Sequence, residues 1–529
     1  MKKILSLVLA LMLVLSATVA FAAEQYSFPY TEEPITLKIF LSRTQRVSDM
    51  ETNDMNIWLR EQTGVNVEWI FSTDDTTDIN LMMAAGESEY PDIFLFQTNN
   101  TDLYLSMAES GMIRPIEDLI EQYGYYTEQA LAANPEYVDY LTFPDGHIYS
   151  LFYTDCGKHQ VAKRKMFVKT SWFEAYKEAT GNGMPTTTDE FEAMLVWFRD
   201  SDPNGNGLKD EIPLIASTNA EDNPIFWLMS AFTMANDTYY YLDDDGNVVF
   251  EADTDAWREG LKWIKHLNDE GLFYAEESFV QDRDSLKALV NKADPSEYIV
   301  GCAPSFWQGR FADSSILDWT DFQVITPIAA EGCEAIAPTT SAYFNLAGAI
   351  SSTCQYPDVA MKWLDWWLSD EGGIAGMWGR EGVGFEWDYE TPDFNGNIPS
   401  IKSLGNSYDG NFLFGECVPR WDKDTLRYGA TNDEASKKTT NTFVLYEGGV
   451  AYEPYYKSTN IPSICWCSDS DLLAEIAELK VIINTEVESA YTEFILGIRD
   501  LDTEWDAYVQ NLKDLGLDRY IECLNKMYN

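Results

Sequence analysis

Between Ile35 and Phe96 the apolar period of the chain switches repeatedly, and that switching constrains the fold more than any other feature of the sequence. Ile35 to Leu41 alternates as a strand, a helical stretch from about Asp49 to Thr63 ends at Gly64, and Val65, Val67, Trp69 and Phe71 alternate again. Alternation places every second side chain on one face of a strand, whereas a helix needs apolar residues three or four apart, so the order reads strand, helix, strand. A second unit follows, with a helix through Leu81 to Ala85, Gly86 as its stop, and a buried strand at Ile93 to Phe96 introduced by Pro91-Asp92. Strands separated by helices predict an α/β fold with a largely parallel sheet.

The 529 residues exceed what one hydrophobic core holds, so two or three domains are expected. Lys2 and Lys3, the apolar run Ile4 to Val19 and the small-residue site Ala20-Phe21-Ala22 read as an export signal over residues 1–22, so the mature chain is expected to begin at Ala23. No cysteine lies beside that cleavage site, so no lipid attachment is expected there. No later apolar run reaches the ~18 residues of a membrane helix. Further strands are predicted at Met166–Val168, Ile212–Ala216, Ile299–Cys302 and Phe322–Ile325, and helices at Ser171–Ala179, Thr254–Leu267, Asp469–Gly497 and Asp502–Leu515. Thr187 with Glu190 forms a capping box ahead of the apolar stripe Phe191, Met194, Leu195 and Phe198. A tryptophan-rich helix is predicted over Pro357–Leu368, with Val359, Trp363, Trp366 and Trp367 on one broad core-facing side, and Gly379 to Gly415 reads as loop.

A net charge of −51 repels nucleic acid and anionic lipid at long range, so neither is expected as a partner. The eight cysteines are scattered, without a Cys-x-x-Cys motif, and read as buried thiols or one or two unassigned bridges. His147, His159 and His266 are far apart and not grouped with cysteines, which argues against zinc. So few histidines, and no Gly-x-Ser-x-Gly elbow, argue against a Ser-His-Asp hydrolase.

Asp200 to Glu211 alternates oxygen-bearing side chains on a glycine-rich turn, which is the requirement of a calcium ion with about 6 to 8 oxygens at roughly 2.3 to 2.6 Å. In an EF-hand register Asp200, Asp202 and Asn204 lead, Gly205 sits at the sharp bend and Glu211 closes the loop. In a tighter, preferred register the donors are Asp202, Asn204, Asn206, the Leu208 carbonyl, Asp210 and Glu211. The competing reading is a solvated Asn-Gly turn with no ion. The role predicted for the ion is structural: it ties the end of one helix to the next strand.

Four stretches, Met184-Pro-Thr-Thr-Thr-Asp-Glu-Phe191, the loop Asp202–Glu211 with Ile212-Pro213 after it, Tyr356-Pro-Asp-Val-Ala360 and Gly379-Arg-Glu-Gly382, are spaced across nearly all of the mature chain in a way that resembles extracellular solute-binding proteins of ABC importers. This is the sugar-binding family 1, with lipoprotein-like and alginate-binding members. The resemblance implies an α/β, two-lobe periplasmic-binding-protein-like (type II) fold with the solute enclosed in a cleft between lobes, and supports the tighter calcium register. Lobe 1 is expected over 23–160 and 322–350, and lobe 2 over 161–321 and 351–529, with a helical C-terminal part. It also implies a monomer that delivers its solute to an ABC transporter permease. The missing lipidated cysteine departs from the family's Gram-positive members.

A sugar cleft needs flat aromatic faces and a few fixed polar groups. Trp307, in the Ser305-Phe306-Trp307 turn, is the foremost stacking candidate. Trp227, Tyr343 and Trp378 are alternatives that burial in the core would equally explain. Arg380 and Glu381 are candidates for a hydrogen-bonding clamp, or form a surface ion pair. The leading reading is a non-catalytic binder of an oligosaccharide or related polar solute. The alternative is a secreted glycoside hydrolase, which needs only two carboxylates about 5 to 9.5 Å apart; with 87 Asp and Glu, any such pair is uninformative. A calcium-stiffened adhesin would need repeats or sorting signals, and the sequence has neither.

Overall fold

The computed structural model describes residues 23–42, 46–155, 157–313, 315–340, 343–405, 410–414, 417–439 and 441–529. The expected export signal over residues 1–22 lies outside the described residues. The chain divides into two compact units: unit 1 comprises Met1–Thr154, Phe344–Glu386 and Ser403–Trp421, and unit 2 comprises Asp155–Tyr343, Trp387–Lys402 and Asp422–Asn529.

Unit 1 is built on β1 (Ile35–Ser42), β2 (Val65–Ser72), β3 (Ile93–Thr98), β4 (Ser150–Asp155) and β12 (Tyr343–Ile350), in the order β2-β1-β3-β12-β4. β1 pairs in parallel with β2 and β3, while β12 runs antiparallel to β3 with a register shift between Ala347 and Ala349. Leu37, Ile39, Phe40 and Leu41 of β1 are fully buried, as a central strand covered on both faces requires. The helix that follows β1 covers Asp54–Thr63, shorter than predicted, because Asn53 accepts the Asn56 N–H as the cap. The preceding Asp49 carboxylate instead accepts from Glu51 N and Thr52 Oγ1, a local turn that competes with helix. The helix ends at Gly64, whose φ of 74° a side chain disfavours.

The tryptophan-rich helix Pro357–Asp365 and the 3₁₀ turn Trp366–Leu368 bury Val359, Trp363, Trp366 and Trp367. Asp365 beside them caps the helix Tyr125–Ala133 by accepting from Tyr126 N, Thr127 N and Thr127 Oγ1 at 3.0, 2.7 and 2.6 Å. Burial still pushes its carboxyl up to about 6.

Unit 2 holds β5 (Lys165–Lys169), β6 (Ile212–Leu214), β9 (Val300–Ser305) and β10 (Phe322–Ile325), in the order β10-β5-β9-β6. Only β6 and β9 are parallel; β5 runs antiparallel to both β9 and β10, so this sheet is mixed rather than largely parallel. The helix Thr188–Asp200 lays Phe191, Met194, Leu195 and Phe198 into the core with no exposure. Thr187 accepts the Glu190 N–H, but the Glu190 carboxylate reaches one residue further back, to Thr186 N and Oγ1. The helices Ser470–Ile495, Trp505–Asp514 and Leu517–Tyr528 complete this core, the last without a predicted counterpart. Small pairs complete the strand set: β7 (Tyr240–Leu242) with β8 (Val248–Phe250), β11 (Ala337–Thr339) with β15 (Tyr456–Ser458), and β13 (Phe385–Asp388) with β14 (Ser400–Ser403) inside the stretch read as loop.

The unit boundaries correct the expected lobes. Residues 322–343 belong to unit 2, because Phe322–Ile325 pairs with Lys165–Lys169. Residues 351–386 and 403–421 belong to unit 1, where Met361 packs against the turn at Gly124. Among the described residues Cys302, Cys333, Cys354, Cys465, Cys467 and Cys523 are free thiols. Among the described residues no helix is long and apolar enough to cross a membrane.

Candidate functional site

In open α/β sheets ligands bind beyond the carboxyl ends of parallel strands. In unit 2 those ends belong to β6 and β9, and they lead into Ser217–Asp222 and Ser305–Arg310. Asp222 is fully buried there and accepts from Arg283 Nε at 2.6 Å, Ser305 Oγ at 2.7 Å and Ser217 Oγ at 3.1 Å. One carboxylate thus fastens both strand ends with hydrogen bonds strengthened by charge. In front of it Arg310 Nη2 lies 3.0 Å from Glu221 Oε2, and the Arg310 guanidinium sits 5.8 Å from the Phe306 ring centroid.

Trp307 lies in the same turn, half-buried, with its ring 5.3 Å from that of Trp319 at 39°. A Cβ on Gly309 would come within 2.1 Å of the Trp307 ring, so only glycine leaves room for the indole to lie across the turn. Behind this wall Lys165, the residue of β5 paired with Ser305, is 1% exposed. Its Nζ donates to the carbonyls of Ala162, His159 and Phe306 at 2.5, 3.1 and 3.5 Å. Burial lowers its pKa to about 7, with Glu221 acting in the opposite direction.

The predicted binding residues are divided between the units: Trp307, Trp227 and Tyr343 in unit 2, Trp378, Arg380 and Glu381 in unit 1. Trp227 is 4% exposed, packs 5.3 Å from Phe191 and donates its indole N–H to Tyr452 Oη at 2.8 Å, so it belongs to the core. Tyr343 is half-buried with Lys163 Nζ 5.7 Å from its ring, and Trp378 is half-buried at the end of the helix Asp370–Trp378. Arg380 does not pair with Glu381. It binds Asp54 bidentately at 2.6 and 2.7 Å, lies 5.9 Å from the Trp58 ring, and leaves Glu381 exposed. Sequence reasoning missed Glu221, Asp222, Arg310 and Trp319; the signal available was the position of the first three past predicted strands and of Trp319 just ahead of one.

The loop after helix Thr188–Asp200 turns on positive φ at Asp202, Gly205 and Gly207 (49°, 71° and 78°). Asp202 accepts from Asn206 N at 3.1 Å and Gly207 N at 3.0 Å, so its carboxylate points into the loop. Asp200 instead pairs with Arg199, at 2.9 and 3.0 Å, which removes it from the loop and disfavours the EF-hand register. Asn204 and Asn206 direct their amides to Asp210. Glu211 is 5% exposed and its Oε1 has no hydrogen-bond partner. Burial, then Asp210 and Asp202, raises its pKa. Among the described residues no three His, Cys, Asp or Glu side chains converge as a metal site, so a cation here would draw on amide and carbonyl oxygens as well. The orphaned, buried carboxylate oxygen fits such a cation, since a bound positive charge would satisfy it.

The family model for bacterial extracellular solute-binding protein matches residues 59–382. The fructooligosaccharide ABC transporter substrate-binding protein FusA of Streptococcus pneumoniae serotype 4 (strain ATCC BAA-334 / TIGR4) is 27% identical over 534 aligned residues, covering 96% of this chain and 93% of its own. The structure of S. pneumoniae FusA in complex with kestose superposes with a TM-score of 0.72 at 25% identity, over 93% of this chain and 99% of that one. An HMO-binding, ABC-transporter-associated solute-binding protein from Bifidobacterium longum infantis ATCC 15697 shares the fold, with a TM-score of 0.74 at 19% identity over 94% and 99% of the two chains.

Proposed function

Because this chain belongs to the family of bacterial extracellular solute-binding proteins, we propose that it captures an oligosaccharide or related polar solute by lobe closure and delivers it to an ABC transporter permease. A solute favours the closed state only by as much as it binds that state better than the open one. One observation carries the reading: in unit 2 the ends of β6 and β9 present a half-buried tryptophan next to a half-exposed ion pair, the combination of flat apolar face and sparse polar groups that suits a sugar. Trp307 supplies the face and the Glu221–Arg310 pair the polar contacts; Tyr343, Trp378, Arg380 and Glu381 are further candidates.

The reading includes no catalysis, a monomeric protein, export by residues 1–22, and a structural calcium ion held by Asp202, Asn204, Asn206, the Leu208 carbonyl, Asp210 and Glu211. The orphaned Glu211 oxygen and the inward Asp202 carboxylate support that ion. The ion supplies positive charge that binds the end of one helix to β6.

The test is a panel of neutral oligosaccharides that includes kestose, added to the purified mature chain while small-angle scattering and melting temperature are measured. At least one glycan should compact the protein and raise its melting temperature. Trp307→Ala should weaken that binding by about 2 kcal/mol, roughly 30-fold, as loss of an aromatic anchor does. If no glycan moves either signal, or if a glycan is converted to product, the reading fails.

A further inference from the structure

We infer that Glu221 is a specificity-determining residue, which makes the wall in unit 2 select uncharged solutes over anionic ones by holding the Arg310 guanidinium that an anionic group would otherwise engage. The inference rests on the oligosaccharide-binding reading above. A planar guanidinium beside an aromatic face is the group best suited to grip a carboxylate, sulfate or phosphate. Here both members of the pair are reachable, with Arg310 and Glu221 side chains 37% and 32% exposed, but Arg310 Nη2 already faces a carboxylate at 3.0 Å.

Two cations on the elements that carry this wall are committed in the same way. Arg283 lies 2.6 Å from Asp222, and Lys169 lies 3.1 Å from Asp321. Lys165 is sealed behind the wall with its ammonium on main-chain carbonyls. An anionic solute that engages the remaining Arg310 donors therefore sits beside the Glu221 carboxylate, two like charges in contact, in a chain whose net charge of −51 already repels it at a distance. A neutral sugar meets no such opposition. Its hydroxyls both donate and accept, so one can bridge a carboxylate and a guanidinium without parting them.

Glu221 is also held in place. Its neighbour Asp222 is pinned by three donors from two strand ends and the helix Arg283–Val290, so the backbone that carries Glu221 is part of the buried frame. That separates this pair from the many ion pairs on flexible exposed side chains, which contribute little.

The test compares matched glycans, the neutral trisaccharides kestose, maltotriose and α-1,4-galactotriose and the same three after oxidation of their primary hydroxyls to carboxylates, by calorimetric titration of the full mature chain. The wild type should bind at least one neutral glycan, and bind it at least tenfold more tightly than its oxidised form. Glu221→Gln frees Arg310 and should shrink that ratio at least tenfold, chiefly through tighter binding of the oxidised glycan, while Glu221→Asp keeps the preference. An unchanged melting temperature of the glycan-free variants shows that the wall remains folded. Equal or tighter binding of the oxidised glycan by the wild type, or an unaltered ratio in Glu221→Gln, overturns the role of Glu221 and leaves the binding function standing. No binding of any glycan in either set removes the functional reading and the inference with it.

Discussion

Stripping divalent ions from the protein should expose how far the loop Asp202–Glu211 braces unit 2. Glu211 is the reason: its carboxyl is buried and Oε1 has no partner, and an unsatisfied buried polar group costs about 1–3 kcal/mol. An ion that binds only the folded state stabilises it by RT ln(1 + [L]/Kd), about 2.7 kcal/mol at a hundredfold excess over Kd. Unit 2 has roughly 300 residues, and an unfolding entropy of about 2 cal/mol/K per residue converts that energy to about 4 °C.

Calorimetry of the mature chain, with chelator and then with excess calcium, should show this shift in one transition. Glu211→Gln and Asp210→Asn should abolish most of it. The pH dependence has a definite sign. The raised pKa of Glu211 means that the ion-free protein holds a proton there up to higher pH than an ordinary carboxyl does. Calcium must displace that proton, so its effect should be full near neutrality and shrink as pH falls into the carboxyl range. A calcium shift of equal size in wild type and Glu211→Gln, or none in the wild type after chelation, would refute the reasoning.

Two further perturbations test the frame. The Lys165 pKa is depressed to about 7, so the folded state penalises its charge; the penalty is complete below that value and vanishes above the ordinary lysine pKa of about 10.4. Between pH 7.5 and 9.5 the urea-unfolding stability of the wild type should therefore rise relative to Lys165→Met, by roughly 2.5 kcal/mol, and parallel curves would contradict the buried charge. Gly384→Ala would bring a Cβ within 1.9 Å of the Trp378 carbonyl oxygen and 2.8 Å of the Phe412 ring. A loss of about 3 kcal/mol is expected in the transition of unit 1, and an unaffected melting curve would show that the turn yields freely.

Local patterns in this chain carried over well. Gly64 stops its helix, Thr187 caps the helix Thr188–Asp200, and Phe322–Ile325 is a strand at the predicted limits. Each depends on residues within a turn or two of one another. The position of Trp307 in a turn after a strand was legible, because the Ser305-Phe306-Trp307 stretch follows a run that reads as strand. The ion-pair partner of Arg380 was not legible, because Asp54 is 326 positions away and nothing near Arg380 announces it. The pairing of Glu221 with Arg310 was not legible for the same reason, since one follows β6 and the other follows β9.

Periodicity and glycine stops determined the α/β class and most element positions, and the Asn- and Gly-rich spacing determined the turn Asp202–Glu211, because these follow from spacing along the backbone. Tertiary structure alone decided which strand Phe322–Ile325 would join, that Trp227 packs inside, and which carboxylate each arginine would meet. Hydrogen-bond and ion-pair partners are selected by proximity in space, at a range of a few ångströms, and the linear order of residues places no limit on where in the chain that partner lies.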